Sequence, residues 1–300
     1  MFYIKKIIHI LNYIILLLIL SIFKPLGKKK ASILASSFFC IVGPFTKYHS
    51  RAKQNIKFIW PRMKNNNVNS ILDKMWSNIG RNFGEFIFLK DCNPLIDKDI
   101  KIYGKNIFNV IVEKNKRKKK GIIFFSAHYG NWELAPIVLG CLGLDTMTIY
   151  RKSNNKYINN FIQSIRERHA SYTPKGDLGA KQSFLWLRRG KSLALAVDQK
   201  LNEGKLVKLL GKEALTAPAI AELAIRMNLD IVPIKVFRKE DLNEITFFQK
   251  LESPKKNINH EKKVTFLLEQ INNIITEWVR EKPDQWLWIH RRWKKSLYEK

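Results

Sequence analysis

Three hundred residues suffice for one medium-sized domain or two small ones, and 46% hydrophobic residues with only 14 Gly and 10 Pro exclude a disordered or low-complexity chain. Lys and Arg number 54 against 25 Asp and Glu, a net charge of +29 that calls for anionic company: nucleic acid, acidic lipid head groups, phosphorylated substrates or an acidic protein. Part of that excess reflects a Lys-, Asn- and Ile-rich composition, and the scattered Cys40, Cys92 and Cys141 argue against a disulfide framework or a zinc site, so no metal is expected.

Residues 7–23 are almost wholly apolar, broken by His9, Asn12 and Ser21, and with residues 2–4 they approach the ~20 needed to cross a bilayer as a helix. No small-residue cleavage site follows, which favours a retained anchor over a removed signal peptide. Lys5 and Lys6 precede the segment, whereas Lys24, Lys28, Lys29 and Lys30 follow it, and that asymmetry puts the bulk of the chain in the cytoplasm. A helix lying in the interface is the alternative to one that spans.

Residues 31–90 read as helices, with 50–60 closing at Pro61, a loop at 65–67 and helical spacing over 71–89. Beyond residue 100 the rhythm changes. Strands are expected at 100–103, 121–127, 146–150, 193–197, 231–237 and 244–250. Helices are expected at 107–118, 134–142, 157–168, 179–189, 218–228 and 260–280. Strand–helix alternation with apolar strands predicts an α/β fold, a largely parallel central sheet flanked by helices. The expected organisation is a membrane-anchor helix at 1–24 and one α/β domain at 25–300, of which 25–95 form a helical annex.

The sharpest local feature is Ser126-Ala127-His128-Tyr129-Gly130-Asn131-Trp132-Glu133. A His followed five residues later by an acid recurs by chance, but here the His ends an apolar strand, Gly130 and Asn131 make a turn, and Glu133 begins a helix. Pro136 is tolerated only near a helix start, which places the first turn close to residues 132–135. Strand ends in such sheets face the crevice where ligands bind. There an imidazole takes a proton from a hydroxyl if a carboxylate holds its other nitrogen. The alternative is a structural His beside a helix-capping acid.

The segment HYGNWELAP resembles the signature of the bacterial lipid A late acyltransferases, the lauroyl/myristoyl family. Further matches run in order: Tyr150-Arg151, Asn155 and Arg166; Asp198-Gln199, Gly204 and Gly211; Thr216 and residues 221–224; Pro233 and Arg238; then Pro283, Gln285-Trp286, Trp288, His290, Arg292 and Trp293. The resemblance spans essentially the whole chain. Departures are Leu209-Leu210 where an aromatic pair is usual, Lys152 for a frequent Pro, and Asn159 for a common Asp; these bear on acyl length and acceptor detail.

The resemblance implies transfer of an acyl chain from acyl carrier protein to a hydroxyl of a Kdo-modified, phosphorylated lipid A precursor, at the cytoplasmic face of the bacterial inner membrane. It implies His128 as general base oriented by Glu133. Arg151, Asn155, Arg166, Asp198 and Gln199 are the candidate substrate-binding residues, and no cofactor is expected beyond the acyl carrier protein thioester. Arg151 is the candidate oxyanion donor; for Arg151 and Arg166 phosphate binding or a surface ion pair is the alternative, and for Asp198 and Gln199 a structural turn.

The basic run 114–120 either meets anionic partners or is a solvated helix end. The aromatic and cationic cluster at 286–293 suits either a membrane interface or packing on the sheet. Rival functions are a glycerolipid acyltransferase, whose signature usually carries Asp in place of Glu133, and a non-catalytic membrane-anchored polyanion binder. No zinc spacing, Gly-rich phosphate loop or RNA-binding aromatic motif supports nucleic acid as a partner.

Overall fold

The computed structural model describes residues 2–298, so Met1 of the expected anchor and the last two residues of the chain lie outside the described residues. Helix α1, Phe2–Val42, runs past the expected apolar segment and kinks where Pro25 lacks an N–H and Gly27 takes φ 75°. Along one face Ile4, Ile8, Leu11, Ile15, Leu18 and Ile22 are exposed at helical spacing. On the opposite face Leu16, Ile19, Leu20 and Phe23 pack against Phe83, Ile87, Phe88 and Phe161. Among the described residues α1 is the one helix long and apolar enough to cross a membrane.

Helices α2, Lys47–Ile59, and α3, Asn65–Glu85, complete the annex. The loop expected at 65–67 is the first turn of α3. A polar Asn run suits that turn because its residues are exposed and the first N–H groups of a helix lack i−4 acceptors within it. Gly80 and Gly84 let the α1 backbone approach: a Cβ there would meet the carbonyl oxygens of Ala35 and Ala31 at 2.5 and 2.4 Å.

The remaining elements keep the expected strand–helix alternation except at two hairpins and one added strand. They are β1 (Ile100–Tyr103), α4 (Lys105–Arg117), β2 (Ile122–Ser126), α5 (Leu134–Cys141), β3 (Thr146–Tyr150), α6 (Lys156–Arg166), β4 (Ser171–Pro174), α7 (Asp177–Arg188), β5 (Ser192–Ala196), β6 (Lys200–Leu209), β7 (Lys212–Thr216), α8 (Ala219–Met227), β8 (Asp230–Lys239), β9 (Leu242–Phe247) and α9 (His260–Glu281). Seven strands form one sheet in the order β1-β9-β8-β2-β5-β3-β4, parallel except for the antiparallel β8–β9 pair.

Sequence patterning missed β4 and the β6–β7 hairpin. β4 is four residues, SYTP, without an apolar run. β6 is rich in charge, and only Val207 and Leu209 at its end alternate into the core, too short a stretch to carry a strand period. Its turn puts both Leu210 (φ 54°) and Gly211 (φ 79°) in the left-handed region, the geometry that joins twisted antiparallel strands.

Alternation along β2 sends Ile123 and Phe125 to one core layer, under α3, α8 and α9, and Ile122 and Phe124 to the other, under α4 and α5. After β2 the chain crosses over by α5 on one face; after β5 it crosses by α8 on the other. Adjacent β2 and β5 therefore form a topological switch point, where a crevice opens beyond the carboxyl ends of the strands.

A buried polar network ties the annex to this edge. Arg238 of β8 (7% exposed) donates from Nη1 to Glu85 Oε1 at 2.6 Å and from Nη2 to Glu85 Oε2 at 2.9 Å, with Glu85 only 3% exposed. Its Nε and Nη2 also donate to Asn78 and Asn82 of α3, at 3.0 and 2.6 Å. Ser32 of α1 donates to Glu85 at 2.7 Å. Glu85→Ala would strand a buried guanidinium and should cost about 3–5 kcal/mol in urea unfolding. A double replacement of Glu85 and Arg238 by Met should recover much of that loss.

Candidate active site

His128 and Asp198 stand just beyond the carboxyl ends of β2 and β5, on the two sides of the switch point. Asp198 is 1% exposed. Its Oδ2 accepts the backbone N–H of His128 at 2.9 Å and the indole N–H of Trp286 at 2.8 Å, while Oδ1 lies 2.7 Å from His128 Nδ1. Burial by itself raises an aspartate, but the charge and hydrogen bond of His128, with His290 behind it, hold the Asp198 carboxyl well below the usual carboxylate range. An ionised carboxylate only accepts, so Nδ1 carries the proton and the Nε2 lone pair faces outward.

Burial disfavours the imidazolium of His128; Asp198 outweighs it through charge and hydrogen bond, Glu133 adds, Arg166 subtracts, and the net pKa is raised. Gln199 Nε2 lies 3.2 Å from His128 Nε2 and 3.4 Å from His290 Nε2, between two ring nitrogens. Burial, then the neighbouring His128, pulls His290 down to about 4, so it is neutral across the physiological range.

The turn that carries His128 is held from three sides. Gly130 takes φ 57°, and a Cβ there would lie 2.3 Å from the Val236 carbonyl oxygen, so the backbone approach requires glycine. Gly130 N–H donates to Gln285 O at 3.1 Å, and Leu287 N–H to His128 O at 3.0 Å. The Gly130 carbonyl accepts from Asn78 and Asn82 at 3.1 and 2.7 Å, and Asn131 donates to Glu85 at 2.8 Å. The Glu85–Arg238 network thus ends on the turn that carries His128.

The expected pairing of Glu133 with His128 is replaced. Glu133, the N-cap residue of α5, forms a bidentate ion pair with Arg166 of α6: Nε donates to Oε2 at 2.8 Å and Nη2 to Oε1. Trp132 Nε1 donates to Glu133 at 3.2 Å, and its ring lies 5.5 Å from that of His128. Arg166 also covers the rings of Phe86 and Tyr172, each at 5.7 Å. Glu133 remains within electrostatic reach of His128, but Asp198 holds the ring. The reason is topological: β5 lies beside β2, so a residue seventy positions away is closer to Nδ1 than the one five positions on.

The other candidates divide. Asp198 and Gln199 both touch His128. Asn155 caps α6, accepting from the N–H groups of Tyr157 and Ile158, and donates at 2.7 Å to the carbonyl of His9 in α1. Its amide pins the apolar helix to the α/β domain. Arg151 is exposed just after β3. The basic run 114–120 leads into the N-terminal end of β2, a strand's length from His128.

Trp286, Trp288 and Trp293 are buried against one another, so the C-terminal aromatic cluster packs on the sheet rather than facing outward. Arg292 is buried beneath them and donates to Leu215 O at 2.6 Å and Thr216 Oγ1 at 2.8 Å. Sequence reasoning gave no role to Glu85, Asn78 or Asn82. The one available signal is a run of Asn, Gly and Glu on the apolar face of a helix.

The model of the bacterial lipid A biosynthesis acyltransferase family matches residues 4–295. The chain belongs to that family. No curated protein sequence matches the chain. The family assignment makes the activity an acyl transfer in lipid A biosynthesis, with an acyl donor and a lipid acceptor, and the long apolar helix α1 is compatible with a membrane anchor in this acyltransferase.

In an NMR titration His128 should turn protonated above the ordinary histidine midpoint of about 6.5. Asp198→Asn removes the anion that outweighs burial, so the midpoint should then fall below that value. An unchanged midpoint would mean that the carboxylate does not set the charge of the ring.

Proposed function

We propose that the protein transfers a fatty acyl chain from acyl carrier protein to a hydroxyl of a Kdo-modified, phosphorylated lipid A precursor, at the cytoplasmic face of the bacterial inner membrane. The observation that carries this reading is the imidazole of His128, held at Nδ1 by a buried carboxylate in a chain that matches the lipid A acyltransferase model over 4–295. The expected division into an anchor at 1–24 and one α/β domain at 25–300 belongs to the same proposal, with the lysines after the apolar segment supporting a cytoplasmic domain.

In the proposed mechanism the acceptor hydroxyl displaces the Gln199 amide from His128 Nε2, which takes the hydroxyl proton as the oxygen attacks the thioester carbonyl. Asp198 stabilises the imidazolium that forms. Collapse of the tetrahedral intermediate breaks the C–S bond. His128 returns its proton to the departing thiolate, leaving the new ester and the free acyl carrier protein thiol. The Glu133–Arg166 pair borders the same site and adds a fixed dipole beside the reacting atoms. Arg151 and Arg166 remain the candidates for binding acceptor phosphates or the oxyanion.

Mass spectrometry of lipid A from cells with and without the protein should show a gain of one acyl chain. With purified protein, acyl carrier protein thioesters should be used with the lipid A precursor and not with a glycerolipid acceptor. His128→Ala should abolish turnover. Asp198→Asn should reduce it about 10³–10⁴-fold by presenting the wrong tautomer. Near-normal turnover in either variant removes the mechanism. The acid limb of the wild-type rate profile should follow the raised His128 pKa: activity is present above it and lost as pH falls through it.

A further inference from the structure

Attack on a thioester carbonyl puts negative charge on its oxygen, and the hydrogen-bond donors around His128 are almost all committed elsewhere. The backbone N–H groups of His128, Tyr129 and Gly130 go to Asp198, the Ala127 carbonyl and the Gln285 carbonyl. Trp132 Nε1 donates to Glu133, which also takes Nε and Nη2 of Arg166. Arg151 is exposed after β3. One donor is bound instead to the very atom that the reaction must uncover: the half-buried Gln199 amide, on His128 Nε2.

An amide nitrogen offers two hydrogens and accepts nothing. Gln199 Nε2 lies 3.2 Å from His128 Nε2 and 3.4 Å from His290 Nε2, so it donates one hydrogen to each ring only if both nitrogens carry lone pairs. The Asp198 carboxylate, by holding the proton on Nδ1, meets that condition for His128. His290, pulled down to about 4 by burial and by the neighbouring His128, is neutral and meets it too. The two rings stand edge to face, 5.4 Å apart, with the amide between their Nε2 atoms. When a hydroxyl takes the place of the amide at His128, one N–H of Gln199 loses its acceptor while the other stays on His290.

We infer that the freed Gln199 N–H is the oxyanion donor of the transfer, and that His290 is the positioning residue that keeps the amide beside the reacting carbonyl. The inference rests on the proposed acyl transfer. As the hydroxyl oxygen bonds to the thioester carbon, its proton passes to His128 Nε2 and the carbonyl π pair moves onto the oxygen, where the N–H meets it. Collapse returns that pair to the carbonyl and expels the thiolate. A half-buried N–H without an acceptor is costly. This one gains a full acceptor only as the charge develops, so its contribution falls on the transition state and not on binding. Arg151 and Arg166 are then left to the phosphates of the acceptor.

The test measures kcat and KM separately, with acyl carrier protein thioesters, for wild type, Gln199→Ala, His290→Phe, His290→Gln and the double variant Gln199→Ala/His290→Phe, each checked for an unchanged thermal midpoint. Gln199→Ala should lose about 10²–10³-fold in kcat while KM for either substrate moves less than about threefold. His290→Phe keeps a ring but no acceptor and should lose about tenfold in kcat, the size of one hydrogen bond. His290→Gln restores an acceptor oxygen and should recover most of that. In the Gln199→Ala background His290→Phe should cost nothing more, because its effect runs through the amide. The inference is overturned by a Gln199→Ala kcat within about threefold of wild type, by a loss confined to KM, or by a His290→Phe cost that is undiminished without Gln199. If His290→Phe unfolds, the smaller His290→Ala takes its place in the same cycle. Absence of turnover in wild type with every thioester removes the acyl-transfer reading and this inference with it, a result distinct from losses confined to the variants.

Discussion

A guanidinium and a carboxylate buried together, Arg238 and Glu85, impose the constraint on which the other arrangements rest. Taking both charges out of water is costly, and the pair persists because nearly every donor on the guanidinium meets an acceptor and the carboxylate collects hydrogen bonds from Ser32 and Asn131 as well. Burial opposes ionisation of Glu85, but Arg238 beside it holds its pKa below the ordinary value. Such a network contributes less to net stability than to uniqueness: only one relative placement of α1, α3 and β8 satisfies all of its members. That placement brings two asparagine amides onto the Gly130 carbonyl, and the turn that presents His128 becomes rigid.

On that rigid turn the orientation and charge of the His128 ring are set by Asp198. One carboxylate receives a backbone N–H, a ring N–H and an indole N–H, which fixes the turn, the tautomer and the C-terminal tryptophan cluster together. The two strands that supply His128 and Asp198 are neighbours whose crossovers lie on opposite faces of the sheet, so the two meet beyond the strand ends, with His128 partly exposed and Asp198 buried behind it. Nearby charges then sort by role. The Glu133–Arg166 pair keeps a second carboxylate close to the imidazole without competing for Nδ1, and His290, pulled down to about 4, adds no competing charge.

Part of the large positive charge is paired within the fold. Lys28 and Lys29 after the α1 kink are tied to Asp99 and Asp241, and the longest basic run leads into the end of β2 opposite His128. The apolar face of α1 lies on the α/β domain through Tyr13, Phe23 and the Asn155 amide, with its other face exposed. A helix held on one side by its own protein and apolar on the other is compatible with a membrane anchor.

Local pattern in the sequence determined the α/β alternation, the apolar N-terminal helix, the place of His128 at a strand tip and the family signature, because periodicity, Pro and Gly positions and short motifs are properties of neighbouring residues. It did not disclose β4, four residues without an apolar run, or the β6–β7 hairpin, whose few core residues, Val207, Leu209, Leu210 and Ala214, span too short a stretch to carry a period. Nor did it decide which acid holds His128: Glu133 was near in sequence, Asp198 was merely next after a strand. Only the tertiary structure made that choice, because hydrogen bonds depend on distance in space, and the order of strands in the sheet, which no local pattern encodes, sets β5 beside β2.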